Sequence, residues 1–274
     1  MKKSIALGCF DGLHIGHTAV INETLRPGLT PHILQLEFPS PRDTTLITTS
    51  LKQKILDEKG ISPLNVSFDE IRNMSALEFF TEYIIKKWDI SLVSCGGNFT
   101  FGKDKCGNSE VLAGLCEKYG VELAIAPDVM YDGSVVSSTR IRNCLRDGDI
   151  ENANSMLGRA FSYDFPVMTG DKIGRTLGFP TINQLFTANY TIPAYGVYAS
   201  EVCLDRIYKA VTSIGPRPTF GLDEIRSETH IPEFCGDLYS QNVEVRLLRY
   251  IRPLMKFSSR DQLINQIKED IKAI

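Results

Sequence analysis

The strongest constraint on how this chain can fold is a change of periodicity near residue 150. Before it, short apolar runs at residues 5–10, 32–38, 65–68, 90–94 and 121–126 alternate with stretches of helical spacing. Helices are predicted through Thr18, Val20, Ile21 and Leu25, and from Ser50 with Gln53 as a capping box and Gly60 as the stop. Others follow from Ser75 with Glu78, and over residues 110–119. Leu77, Phe80, Ile84 and Trp88 then form one buried face. Such βα alternation specifies an α/β domain with a doubly wound parallel sheet, whose ligands lie at the carboxyl ends of its strands.

Beyond that point the period becomes two. Residues 196–204, 206–214, 226–234 and 243–251 read as strands, with Val243, Val245 and Leu247 alternating against Glu244 and Arg246. Several strands with short turns form a compact antiparallel β-barrel. A last helix, striped by Leu263, Ile264, Ile267, Ile271 and Ile274, packs on it. The acidic, Asn-rich turn over residues 147–154 marks the border, giving domains 1–154 and 155–274. A chain of 274 residues accommodates two domains, each with its own core.

Composition removes several classes of function. A formal charge of -3 without a basic block gives no electrostatic footprint for nucleic acid or an anionic membrane. Lys2 and Lys3 precede an apolar run too short for a signal peptide, which Asp11 ends. The seven cysteines are odd in number, scattered and without a C-x-x-C pair, the pattern of reduced cytosolic thiols. A cytoplasmic small-molecule enzyme is expected, monomeric or weakly homo-oligomeric.

Three polar, glycine-rich strings interrupt this pattern where a core has no use for them. The first is CFDGLHIGH, residues 9–17, between a strand and a helix. There Gly8, Gly12 and Gly16 allow a tight bend, and the helix N-terminus favours a bound anion such as a triphosphate. A lone histidine is usually a core or surface residue, but His14 and His17 flank a glycine at a strand-to-helix junction. The second is GGNFTFG, residues 96–102, and the third SSTRIR, residues 137–142, where Ser138 and Thr139 can cap a helix while Arg142 grips phosphate.

A fourth string, GRTLGFPTIN, residues 174–183, lies in the second half. Gly170, Gly174 and Gly178 let the main chain approach a bound group, and Arg175 adds charge. Thr181 and Asn183 stand two apart on an extended segment, so a hydroxyl and an amide oxygen share one face where a magnesium ion could sit.

His14-Ile15-Gly16-His17 resembles the H-x-G-H signature of adenylyl-transferring enzymes, in which paired imidazoles stabilise the charge that develops as pyrophosphate leaves. That motif alone leaves open a class I aminoacyl-tRNA synthetase, which lacks support here because no K-M-S-K-S string or basic surface is present. Taken in order, G-x-F-D-G-x-H-x-G-H, G-x-N-F-x-F-G and S-S-T-x-I-R resemble the FMN adenylyltransferase module of bacterial FAD synthetases. The string from Gly174 resembles the riboflavin kinase motif G-R-x-L-G-F-P-T-A-N, and IGPRPTF, residues 214–220, resembles that family's I-G-x-R-P-T-F. MLGRAF, residues 156–161, resembles the entry into the kinase module.

The resemblance covers nearly the whole chain and implies a bifunctional riboflavin kinase and FAD synthetase. Riboflavin, FMN and ATP are then the substrates and Mg2+ the metal. It implies His14, His17 and Glu228 as catalytic residues. Gly8, Phe10, Asp11, Gly16, Ser138, Thr139 and Arg142 would hold ATP in one domain, and Gly170, Gly174 and Arg175 in the other. Asn98, Arg217 and Thr219 would bind flavin, and Thr181 with Asn183 the metal. Glu228, within Ser-Glu-Thr-His, falls where the family has its catalytic glutamate. The departures are Ile182 for alanine, Thr169 for histidine, and Ser40 for the histidine of F-x-P-H-P. Two other readings remain: the same folds with one activity retained, or a flavin-binding regulator without turnover.

Overall fold

A computed structural model describes residues 2–38, 44–170, 173–219 and 222–274. Its contacts divide the chain into two compact units, Met1–Asp43 with Lys52–Ser137, and Thr44–Leu51 with Ser138–Ile274.

The first unit is built on β1 (Lys2–Ala6), α1 (Ile15–Asn22), β2 (Leu29–Glu37), α2 (Thr49–Glu58), β3 (Ser62–Ser67), α3 (Phe68–Ile71), α4 (Ala76–Phe79), β4 (Ile90–Gly96), α5 (Ser109–Tyr119) and β5 (Glu122–Ala126). The first three residues of α2 group with the second unit. All five strands are parallel and lie in the order β3-β2-β1-β4-β5, so the doubly wound α/β fold read from the sequence is present. The order reverses between β1 and β4, and the crevice at their carboxyl ends is the general ligand position of such sheets. A hairpin, β6 (Met130–Tyr131) and β7 (Ser134–Val135), turns at Asp132 and Gly133, both at positive φ, as the Asp-Gly pair predicts.

Two local expectations change. Ser75 does form the capping box with Glu78, but the helix it starts widens into a π-helix over Phe80–Lys87. That wider winding rotates Phe79, Tyr83, Ile84 and Trp88 into the core with Phe80 and leaves Leu77 exposed. At α2 the side chain accepting at the N-terminus is Thr48, which takes the Leu51 N–H at 3.3 Å, while Gln53 bonds Asp57 one turn on.

The second unit contains α6 (Ser138–Asp147), α7 (Ile150–Leu157), β8 (Phe161–Tyr163), α8 (Ile173–Leu177), β9 (Thr181–Phe186), β10 (Gly196–Cys203), β11 (Ile207–Thr219), β12 (Leu222–His230), β13 (Glu244–Arg252) and α9 (Arg260–Lys272). Its six strands form one curled antiparallel sheet ordered β8-β13-β10-β11-β12-β9. A bridge from Met168, just past β8, to Asn183 of β9 links the two ends. Its interior holds an aromatic cluster of Tyr163, Phe165 and Phe186 and a run of buried hydroxyls, Ser200 to Thr212 at 2.8 Å and Thr212 to Thr229 at 2.9 Å. The border expected at 154 falls inside α7, and the contact-based division lies at Ser137 and Ser138. Within the second unit, α7 packs on both α6 and β13.

The α9 stripe is half-buried, as its spacing predicts. What the spacing does not reveal is a buried ion pair behind it, Arg252 to Asp270, at 2.8 Å from Nε and 2.6 Å from Nη2. Asp270 is 3% exposed and also accepts from Gln266. Truncating one partner of such a pair leaves a buried charge uncompensated. Asp270→Ala is therefore expected to destabilise the second unit by about 3 kcal/mol, measured as a lowered urea midpoint.

Candidate active sites at the sheet switch point and the barrel edge

In the first unit the chain leaves β1 at Ala6 and bends through Phe10 and Leu13, both non-glycine residues at positive φ (48° and 44°). Each costs on the order of 1 kcal/mol, and such local strain clusters at functional sites. Gly8 packs beneath the Phe10 ring. His14 caps α1: its Nδ1 accepts the His17 N–H at 3.2 Å. That bond fixes its tautomer, because an accepting Nδ1 places the neutral ring's proton on Nε2. The His17 ring stacks on His14 at 3.6 Å, with Phe10 against its edge at 5.3 Å. A Cβ at Gly16 would lie 3.2 Å from the His14 ring, so any side chain there presses on that ring.

His17 Nδ1 is buried and has no hydrogen-bond partner among the described residues. Burial first, then His14 and Lys52, hold its pKa well below the usual histidine value. The ring is thus neutral near pH 7. A proton taken up by the unfolded chain below about 6.5 is refused by the folded one. Folding stability from this group is intact above that pH and falls as the solution is acidified. Replacing His17 with phenylalanine is expected to flatten that acid limb by up to about 1.4 kcal/mol per pH unit, measured by urea melts from pH 7 to 5.

Asn98 follows β4, the strand beside β1, and its Oδ1 turns back over Gly96 next to Val20 of α1. The H-x-G-H turn and the loop asparagine therefore occupy neighbouring strand ends. Lys52, which the sequence reading did not single out, belongs here as well. It is half-buried, its pKa is lowered by burial against the opposing pull of Asp11 and Cys9, and it acts electrostatically on His17. A lysine in an amphipathic helix reads as solvated, so only the tertiary fold could reveal it. Lys52→Met is expected to weaken ATP binding for adenylyl transfer by roughly tenfold, the scale of one charge-assisted contact, with riboflavin phosphorylation unaffected. Separate assays of the two reactions check this.

Ser138 and Thr139 open α6 and group with the second unit. Arg142 is 9% exposed, and its Nε donates to the Thr44 carbonyl at 2.8 Å. Part of the guanidinium expected on phosphate thus anchors residues 44–51. Ser40 lies outside the described residues, as do the side chains of Arg217 and Thr219.

In the second unit, β9 and β12 pair so that Asn183 stands directly across from Glu228 and Thr181 from His230. Directly opposed residues share a face. Asn183 is 8% exposed and its Oδ1 is buried without a hydrogen-bond partner among the described residues. A buried amide oxygen beside a threonine, with no donor to satisfy it, fits a hard cation such as Mg2+. Among the described residues no cluster of three His, Cys, Asp or Glu could hold a metal.

Gly170 lies against Asn183, where a Cβ would come within 2.5 Å of its amide. The expected turn at Gly174 is a short helix, α8, and a Cβ at Gly174 would meet the Phe179 carbonyl at 2.4 Å. A cavity of 330 Å³ opens beside this segment, lined by Arg175, Pro180, Thr181, Thr229, Phe234 and Tyr239 among others. A second, of 470 Å³, lies between Thr176, Leu177 and the start of α9 with Phe257 and Leu263.

Comparison with known proteins finds a separate match for each half of the chain. The sequence model described as FAD synthetase matches residues 1–140, and that described as Riboflavin kinase matches residues 157–274. A bifunctional riboflavin kinase/FMN adenylyltransferase of Buchnera aphidicola subsp. Schizaphis graminum is 31% identical, covering 100% of this chain and 93% of its own length. The protein so named from Escherichia coli K12 is 31% identical over 97% and 90%. A solved structure from Streptococcus pneumoniae, described as a macrolide-efflux protein, superposes with a TM-score of 0.87 at 30% identity, covering 99% of this chain and 93% of that one. No helix among the described residues is long and apolar enough to cross a membrane. Full-length similarity to relatives so named, with a family match to each half in the same order as the motifs, has one outcome: the chain belongs to the bifunctional riboflavin kinase/FMN adenylyltransferase family.

Proposed function

We propose that the second unit phosphorylates riboflavin with ATP to give FMN, and that the first adenylylates FMN with a second ATP to give FAD and pyrophosphate. The observation that carries the kinase half is the β9–β12 register, which sets Glu228 across from an Asn183 whose buried Oδ1 has no partner. Glu228 takes the proton of the ribityl hydroxyl as that oxygen bonds to the γ-phosphorus and the bond to the β-phosphate oxygen breaks, releasing ADP. Thr181 and Asn183 would hold Mg2+, which would neutralise phosphate charge. Arg175 lines the smaller cavity, which suits the nucleotide, with Gly170 and Gly174 in the chain segment beside it, while the more apolar cavity beside α9 suits the flavin ring; the resemblance assigns Arg217 and Thr219 to the flavin.

In the adenylyl half an FMN phosphate oxygen attacks the α-phosphorus of ATP, and pyrophosphate leaves. His14 offers its Nε2–H, and His17 a neutral ring that the arriving triphosphate would push toward protonation, so positive charge appears where negative charge accumulates. In the first unit the loop of Gly8, Phe10, Asp11 and Gly16 cradles the nucleotide and Asn98 meets the flavin; Ser138, Thr139 and Arg142 keep the ATP role that the resemblance implies. The enzyme is cytoplasmic, a monomer or weak homo-oligomer, and engages no nucleic acid or membrane. Incubating pure protein with riboflavin, ATP and Mg2+ and separating flavins over time tests this. FMN followed by FAD is expected; a single product would reduce the chain to one activity, and unchanged riboflavin would leave only a binding protein.

A further inference from the structure

We infer that His230 is a positioning residue for the nucleotide phosphates in the kinase reaction. It shares the Glu228 face of β12, two residues on, and lies opposite Thr181 in the β9–β12 register. Its Nδ1 is 2.8 Å from the Pro180 carbonyl, which can only accept, so Nδ1 carries the proton and donates. Its ring meets Phe179 edge-on at 5.5 Å and 84°.

One side chain thus holds two consecutive residues of the Gly-Phe-Pro-Thr turn immediately before the proposed metal-holding threonine. Pro180 has no N–H with which to fix this stretch through its own amide. Its carbonyl is the group available to be pinned, and a histidine two positions from the general base pins it. Pro180 and Thr181 both line the 330 Å³ cavity, so the bond pins the carbonyl immediately before the first residue of β9 at that cavity's wall. The ligand class is a nucleoside triphosphate with its divalent cation.

This inference rests on the reading of Thr181 and Asn183 given above, and the test separates the two. In the full chain, His230→Phe keeps the ring against Phe179 but removes the donor, whereas His230→Asn returns an amide N–H near the position of Nδ1. With ATP and riboflavin varied independently, His230→Phe is expected to raise the KM for ATP between roughly twofold and tenfold, the scale of one hydrogen bond. Its KM for riboflavin, which reports a folded barrel, should be unchanged, and His230→Asn should recover most of the loss. An unaltered ATP KM in His230→Phe, or an Asn variant as impaired as the Phe variant, would reduce His230 to packing. If Thr181→Ala also bound ATP normally, the phosphate-site reading itself would fall, and this inference with it.

Discussion

Glu228→Gln is expected to slow riboflavin phosphorylation by roughly 10² to 10⁴-fold, the range for loss of a general base, while the KM for riboflavin changes little. The substitution preserves shape and one acceptor oxygen but removes the group that receives the proton. Its position makes the outcome specific: Asn183 is its neighbour across the strand pair, so the amide should leave the register and the cavity intact. Thr181→Ala supplies the contrast. That change weakens binding, so raising Mg2+ should restore part of its rate by mass action, whereas added ion cannot replace a proton acceptor. Initial rates over a magnesium series distinguish them, and full-rate turnover by Glu228→Gln would remove this residue from the mechanism.

The second large effect concerns the other half of the chain. His17→Ala is expected to lower FAD formation from FMN by about 10² to 10³-fold, the loss seen when one preorganised donor to a developing charge is removed, with FMN formation from riboflavin unaffected. The stacking of His17 on His14 and against Phe10 gives the pair one orientation. Truncation therefore removes both a charge stabiliser and the ring that holds its neighbour. Equal loss of kinase turnover in a folded His17→Ala chain would mean that the two activities do not reside in separate sites.

Much of this was legible in the sequence because each motif sits where its periodic pattern breaks. The H-x-G-H turn follows the first apolar run, and the parallel order β3-β2-β1-β4-β5 brings it beside the loop of Asn98. Thr181 and Asn183 were placed on one face by period-two spacing alone, on the extended segment that forms β9. What spacing could not supply was pairing between distant segments. The Glu228–Asn183 register, the Arg252–Asp270 pair and the bond from His230 to Pro180 join residues far apart in the chain. Lys52 was missed because burial depends on tertiary context, and Leu77 was misplaced because the π-helical turns after Phe79 shift the helix phase. The border at 154 was read from a polar turn, and α7, which packs on β13, runs across that position.

The central claim is that two independent sites on one chain exchange a diffusible product. Its most direct test mixes two disabled proteins. Glu228→Gln and His17→Ala chains are each given riboflavin, ATP and Mg2+ alone and then together, and FAD is measured at early times. Neither alone should accumulate FAD, and the mixture should, because FMN made by the His17→Ala protein can be adenylylated by the Glu228→Gln protein. A mixture that makes no FAD, although each variant retains its one remaining activity when assayed with its own substrate, would contradict the account.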